Sequence, residues 1–397
     1  MRLTSASLCL ASALLTLPLA AWAAEPATSD VATDRPAGQL IPVFAFHDQM
    51  PTGITVTRDG RRFASYPRWG DGNAFTVAEL KDGREIPWPS KAINRPDIQH
   101  PNDALISVQS VVAPGDGNVW LLDTGTLPDK GYAASGQVKG GPKLVAVRLA
   151  DNTVVRTLPV PPEAATATTY LNDMRFDFSK GKAGVAYMTD SSFTGPGAII
   201  VMDLASGDAW RVLDGHPSTQ ADPAMVPIVE GRRMTATGKD GQQVVRRVPA
   251  DGIALSPDGS TLYYSALTGR HLYSVPTATL LDRHITEEEA ARTVTDLGEK
   301  GASDGMIMDN SGHLYATDYE HNAIHRLDTR TGDWSTIAHD PRLLWPDTLS
   351  IGPDGVYVTA NQLHRQAAFN QGRDLRQPPY MLYRLDMDAE PVAPENR

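Results

Sequence analysis

Trp345-Pro346-Asp347-Thr348-Leu349-Ser350, continuing through Pro353-Asp354-Gly355-Val356-Tyr357-Val358 to Asn361-Gln362-Leu363-His364-Arg365, decides the fold. Leu349 and Ile351, then Val356 and Val358, alternate around a Pro-Asp-Gly reversal, the period-two pattern of two half-buried strands joined by a tight turn. The same grammar recurs upstream. Asp251-Gly252-Ile253-Ala254-Leu255 leads through Pro257-Asp258-Gly259 into Leu262-Tyr263-Tyr264, and Asp304-Gly305-Met306-Ile307-Met308 leads through Ser311-Gly312 into Leu314-Tyr315-Ala316. A looser copy starts at Asn172-Asp173-Met174, and two degenerate ones begin near Ile54 and Ile106. Each copy continues into further strands, such as Ala198-Ile199-Ile200-Val201-Met202, so each is a sheet of about four strands at a repeat of roughly 40–50 residues.

These repeats predict an all-β fold, a six-bladed β-propeller of four-stranded antiparallel blades. A ring must close. Leu40-Ile41-Pro42-Val43-Phe44-Ala45-Phe46 precedes the first blade and is placed to add an outer strand to the last, which would hide both sheet edges. The predicted organisation is a signal peptide over residues 1–23, a lead-in over 24–38 without fixed structure, the propeller over 39–390, and a tail over 391–397, with fraying from Asp388 onward. Two stretches interrupt the blades: residues 216–249, read as an inserted hairpin, and the Gln- and Pro-rich residues 366–379, read as a long rim loop. Thr286-Glu287-Glu288-Glu289 is the one capping-box helix start.

Composition narrows the partners. Arg2, an apolar run over residues 8–19 and Ala21-Trp22-Ala23 form an n-region, h-region and A-x-A site, so export to the periplasm or outside is expected, with cleavage near Ala23. Cys9 leaves with that segment, and no disulfide, thiol chemistry or cysteine zinc site is expected afterwards. No later run approaches the roughly 20 apolar residues of a membrane helix, so no membrane anchor is expected. The formal charge of −11 disfavours nucleic acid and anionic lipid as partners and leaves a small-molecule ligand.

The segments Tyr66-Pro67-Arg68-Trp69, Val119-Trp120-Leu121-Leu122-Asp123-Thr124-Gly125, Tyr187-Met188-Thr189-Asp190-Ser191, Gly252-Ile253-Ala254-Leu255-Ser256-Pro257, Leu272-Tyr273-Ser274-Val275-Pro276 and residues 345–365 run in order along the chain. On them the sequence resembles a bacterial member of the major royal jelly protein and yellow family. That resemblance implies a secreted six-bladed propeller whose relatives include dopachrome-converting proteins, binders of small biogenic amines and members without known catalysis. A more distant similarity is to the senescence-marker and gluconolactonase propellers, which hold a divalent metal, commonly Ca²⁺, in the channel. It implies Asp304 and Asp251 as metal ligands and Asn172 as a group facing the substrate. The glutamate with which those propellers open their first blade is absent, because Pro51-Thr52-Gly53-Ile54 stands there.

Asp173, Asp251, Asp304 and Asp347 share one offset, just before the innermost strand of four blades, and inner-strand starts face one another around a propeller channel. The four are therefore expected to converge, and so many close carboxylates must bind a cation, share protons or accept local hydrogen bonds. Asp304 and Asp173 are the candidate catalytic acids. Asn172 and Asn361, with Asp123, Asp190 and Asp318, are expected in an outer polar ring, and Arg68 as a cation directed at the mouth or a tie between blades. Trp69, Trp120, Trp210 and Trp345 are read as packing between blades, and His364-Arg365 as bonding backbone at a blade junction. His321 and His325 would share a face only on a helix, and their segment reads as loop and strand. Gly301-Ala302-Ser303-Asp304-Gly305 matches a nucleophile-elbow pattern, but a strand follows where that motif needs a helix. Three functions follow as alternatives: binding of a small cationic or aromatic molecule at the acidic mouth, with dopachrome-tautomerase-like proton transfer; a Ca²⁺-dependent lactonase with Asp251 and Asp304 as ligands; and a non-catalytic interaction module.

Overall fold

A computed structural model describes residues 36–128, 134–238 and 240–392. The expected signal peptide over residues 1–23 with its cleavage near Ala23, residues 24–35 of the expected lead-in and the last five residues lie outside them.

Alternation within each strand explains why the sheets form a ring. In the third blade, Ala186, Met188, Ile200 and Met202 turn toward the second blade and join Trp120, Leu122, Leu144 and Ala146. Their immediate neighbours Val185, Tyr187, Ile199 and Val201 turn the other way, toward Ile253, Leu262 and Tyr264 of the fourth. Six such apolar clusters each join two successive blades. The core is thus a set of wedges between blades, and a single sheet has nowhere to bury its two apolar faces.

The inner strands of blades 1 to 6 are Ile54–Val56, Val108–Val112, Leu171–Asp177, Ala250–Leu255, Met306–Met308 and Pro346–Gly352, and each heads a four-stranded antiparallel sheet. Leu40–Phe46 closes the ring, pairing antiparallel with Tyr380–Leu385 as the outer strand of the sixth blade. It adds Leu40 to the wedge between blades 5 and 6, and Phe44 and Phe46 to the wedge between blades 6 and 1.

Both ends of the described chain are held to blade 5: Ala37 pairs with His339, and Asp309 with Pro391. Three local readings need correction. Residues 216–249 carry two short hairpins rather than one, Ile228–Val229 with Arg232–Arg233 and Ala236–Thr237 with Gln243–Val244. A further hairpin, Thr126–Pro128 with Ala134–Gln137, interrupts blade 2. Besides the capped helix Glu287–Ala291, a one-turn helix Thr277–Leu281 forms after Pro276 without a side-chain cap, which is why no capping signal marks it.

Candidate functional site

The inner strands start irregularly. Their register slips between Val108 and Ser110, Leu171 and Met174, Ala250 and Ile253, and Pro346 and Leu349, so the acidic positions of blades 3, 4 and 6 sit on bulges. A bulge re-aims the side chain it carries. Hydroxyls on the second strands then lock the bulged backbone to its neighbours. Thr189 Oγ1 accepts from the Asp173 amide and donates to the Asp251 carbonyl of the next blade, and Thr359 Oγ1 accepts from Thr348 and donates to Thr52. Ser65 Oγ does the same between Gly53 and Gln109. Glycine permits the close approach: a Cβ on Gly252 would lie 2.5 Å from the Asp304 carbonyl, and one on Gly305 2.3 Å from that of Asp347.

Asn172, Asp173, Asp251, Asp304 and Asp347 thereby line one void in the channel neck, together with Gln109, Ser110 and Thr348. Its volume is about 10 Å³, room for about one water-sized group. Asn172 Nδ2 donates to Asp251 Oδ2, which also accepts from Ser191 Oγ at 3.1 Å. Asp304 Oδ2 accepts the Trp345 indole N–H at 2.7 Å, and the Asp304 carboxyl is hydrogen-bonded to that of Asp251. Asp347 accepts from Asn361 Nδ2 at 2.6 Å and Thr348 Oγ1 at 3.0 Å. Asp173 accepts from Ser110 Oγ at 2.7 Å and pairs with Arg175 at 2.9 Å. Among the described residues, Arg175 is the one cation in ion-pair contact with any of these four carboxyls.

That arrangement disfavours the ionised form of three of these carboxyls. Burial raises Asp251 well above the ordinary carboxylate range, reinforced by the charges of Asp347 and Asp173. Burial and then Asp251 raise Asp304, against the Trp345 hydrogen bond. Burial and then Asp304 raise Asp347, against Thr348 and Asn361.

Other sequence-selected residues lie elsewhere. Asp123 binds Lys143 Nζ at 2.7 Å and accepts the amides of Ile106, Ser107 and Gly125. Asp190 binds Arg211 at 2.7 Å and accepts from Tyr170 N and Thr169 Oγ1. Asp318 accepts from both His321 and His325, which do share a partner although no helix brings them together. Arg68 reaches no neck aspartate: its guanidinium donates to the carbonyls of Ile106, Asn73 and Asn94, tying blade 1 to the chain leading into blade 2. His364 and Arg365 bind a carboxylate rather than backbone, that of Glu230 in the first inserted hairpin. Ser303 Oγ donates to the Gly305 carbonyl at 3.2 Å.

Sequence reasoning missed three features. Trp345 both packs on Tyr319, with ring centroids 4.2 Å apart, and hydrogen-bonds Asp304, so it is more than a wedge between blades. Arg175 crosses the channel to the Met306 carbonyl, and its two-residue spacing from Asp173 was the available signal. Lys300 is buried ahead of the blade 5 inner strand, and burial pushes its amine down to about 7 against the attraction of Asp318 and Asp251.

The neck opens one way. Asp173 and Thr348 also line a second cavity of about 140 Å³, whose walls are mainly apolar and come from the inner strands of all six blades. On the other side Trp345, Tyr319 and Leu363 form a buried cluster with Met225 and Val229 of the insertion, a roof over Asp304.

A divalent ion does not fit these residues as they stand. Among the described residues no three acidic or histidine side chains are arranged to hold one. The amides of Asn172 and Asn361 turn their N–H groups, not their oxygens, to Asp251 and Asp347. Asp251 and Asp304 bond each other, and no carboxylate opens the first blade.

The molecule is thus a six-bladed propeller with a cluster of buried acids at its channel neck. Residues 106–391 match the family model of the major royal jelly proteins, and the chain belongs to that family. Protein yellow of Drosophila yakuba and of Drosophila melanogaster are each 24% identical over 304 residues, 72% of this chain and 52% of the relative. The chain spans about half the length of these curated relatives. Among solved structures, a calcium-binding regucalcin of Agrobacterium tumefaciens shares 16% identity at a TM-score of 0.51, covering 90% of this chain and 98% of its own. A luciferin-regenerating enzyme shares 12% at 0.52, covering 91% and 100%. At such identities they share the fold. Among the described residues no helix is long and apolar enough to cross a membrane.

Proposed function

We propose that this propeller binds a small aromatic amine in the channel, its ammonium group among Asp251, Asp304 and Asp347 and its ring in the adjoining apolar cavity. The observation that carries this reading is the cluster of three buried carboxyls with raised pKa beside a void for one water-sized group. An arriving ammonium supplies the missing positive charge, and the carboxyls give up protons to meet it. The apolar cavity suits the other half of such a ligand, since about 150 Å³ lined by apolar side chains accommodates a benzene-sized ring. Arg175 stands at the junction of the two spaces and swings aside or lines the ligand.

The test is calorimetric titration of the wild type and Asp304→Asn with phenethylamine- and indolethylamine-type ligands, in two buffers of different ionisation heat. Saturable binding with proton release to the buffer supports the reading, and weakening by about 1–3 kcal/mol in Asp304→Asn places the ammonium at that carboxyl. No binding by the wild type favours an interaction module instead.

A second reading rests on the hydrogen bond between Asp304 and Asp251. A protonated carboxyl beside an ionisable one can give a proton to one atom of a bound quinone-like substrate and take one from another, the requirement of a dopachrome-type tautomerisation. Turnover of such a substrate that disappears in both Asp304→Asn and Asp251→Asn tests it. Among the described residues Ca²⁺-dependent lactone hydrolysis has no matching ligand set, and turnover of gluconolactone requiring Ca²⁺ would restore it. Export with cleavage near Ala23 belongs to the same proposal and is checked by sequencing the N-terminus of the exported protein.

A further inference from the structure

The two stretches that depart from the blade repeat meet each other. Glu230 and Gly231, with φ of 50° and 72°, form the two-residue turn of the hairpin that joins Ile228–Val229 to Arg232–Arg233. From that turn the Glu230 carboxylate reaches His364 Nε2 at 2.8 Å and Arg365 Nε at 2.8 Å, latching the hairpin to the chain that begins the rim loop. Between hairpin and loop lies a cavity of about 730 Å³.

Its charge opposes that of the whole molecule. Arg232, Arg233, Arg365, Arg373 and Arg376 line it against Glu230 and Asp374, an excess of three positive charges on a chain whose net charge is −11. Two of the guanidinium groups are held in place: Arg365 by Glu230, and Arg376 by Asp71 and Asp374. The other three are exposed, and among the described residues no carboxylate lies within ion-pair distance of Arg232, Arg233 or Arg373. Convergent like charges repel, and the two wall carboxylates, Glu230 and Asp374, are engaged by Arg365 and Arg376. Burial keeps His364 neutral, its pKa lowered from the usual value despite Glu230, so it adds no charge of its own. The volume is in the range of small-molecule pockets, and forked guanidinium donors match the paired oxygens of phosphate and carboxylate.

We propose that this cavity binds a small polyanion, carrying phosphate or carboxylate groups, with Arg365 as a fixed donor and Arg232, Arg233 and Arg373 closing on it. The class is a low-molecular-weight anion rather than a polymer, because the arginines surround a concavity between two loops instead of following a groove.

The experiment titrates the full chain with inorganic phosphate and, separately, with citrate at low ionic strength. It is repeated on the double variant Arg232→Gln/Arg373→Gln and on Arg84→Gln, an exposed arginine of the first blade. None of these side chains makes an internal bond among the described residues, so all variants should melt with the wild type. The expected result is saturable one-site binding that weakens about tenfold or more in the double variant, the loss of one charge-assisted contact, and is unchanged in Arg84→Gln. Saturation with phosphate alone assigns a phosphate-bearing ligand, and with citrate alone a polycarboxylate. No saturable binding of either anion, binding only of a polyanionic polymer, or equal weakening in Arg84→Gln overturns the proposal. Asp304→Asn should bind the anion like the wild type, which separates this site from the neck.

Discussion

Asp123 and Asp304 are the same residue type, both buried near the same end of the ring, and the fold treats them oppositely. Asp123, at the end of a second strand, has a buried lysine and three backbone amides on its carboxylate. Asp190 and Asp318 occupy the same offset in blades 3 and 5 and are likewise met by Arg211 and by two histidines. Asp304, at the start of an inner strand, has an indole N–H and the Asp251 carboxyl, Asp251 has an amide and a hydroxyl besides Asp304, and Asp347 has an amide and a hydroxyl. The outer carboxylates finish the backbone hydrogen bonding at each blade's entry. Asp251, Asp304 and Asp347 have no cation in ion-pair contact among the described residues, and the proposed amine site rests on that contrast.

The pH dependence of Asp318 and that of Asp251, Asp304 and Asp347 differ in sign. Burial alone would raise Asp318, but hydrogen bonds from His325 and His321 outweigh it and leave its pKa below the usual value. Its stabilisation is therefore present above the unfolded carboxylate pKa of about 4 and lost as the pH falls through its folded value. The neck carboxyls have folded pKa values above the unfolded one, so the folded state binds more protons. Their contribution is greatest below pH about 4 and is lost as the pH rises toward their folded values. Burial raises Asp190 too, against the pull of Arg211.

Breaking an outer pair should have the largest effect. Asp123→Ala leaves Lys143 charged, fully buried and unpaired, and should cost about 3–5 kcal/mol in urea unfolding. At the neck the sign reverses: Asp304→Asn retains an acceptor for Trp345 and a donor for Asp251 while removing an ionisable group. It should equal or exceed wild-type stability at pH 8, by up to about 1–3 kcal/mol, and the gain should shrink toward pH 4. A loss at pH 8 as large as that of Asp123→Ala would erase the distinction between the two sets.

Much of this contrast was legible in the sequence and part was not. The repeat grammar yields six blades, the closing strand and the convergence of Asp173, Asp251, Asp304 and Asp347, because period-two burial and a constant offset are local properties of the chain. Partners far apart in sequence were invisible. Arg68 bonds three carbonyls, and an arginine next to a tryptophan carries no mark of that choice. Glu230 meets His364 and Arg365 across more than a hundred residues, through a hairpin whose path over the ring follows from packing rather than from pattern. The saturation of Asp123, Asp190 and Asp318 also depends on cations from the third and fourth strands, so offset alone placed them in an outer polar ring without showing that counter-charges meet them.

A smaller effect sharpens the neck half of the comparison. Trp345→Phe keeps an aromatic ring against Tyr319 but removes the N–H on Asp304, and should cost about 1 kcal/mol at neutral pH. Because that hydrogen bond holds the Asp304 pKa down, its loss should raise the pKa further, a shift that a merely structural tryptophan would not cause.

The most direct measurement is a ¹³C NMR titration of the aspartate carboxyls in the ligand-free protein from pH 3 to 9, with signals assigned by Asp251→Asn, Asp304→Asn and Asp347→Asn. The account predicts neck signals that ionise well above the usual carboxylate range while Asp318 has ionised below it. It also predicts that a bound aromatic amine moves the neck signals to the ionised range. Neck carboxyls that ionise below pH about 5 together with every other aspartate would contradict it.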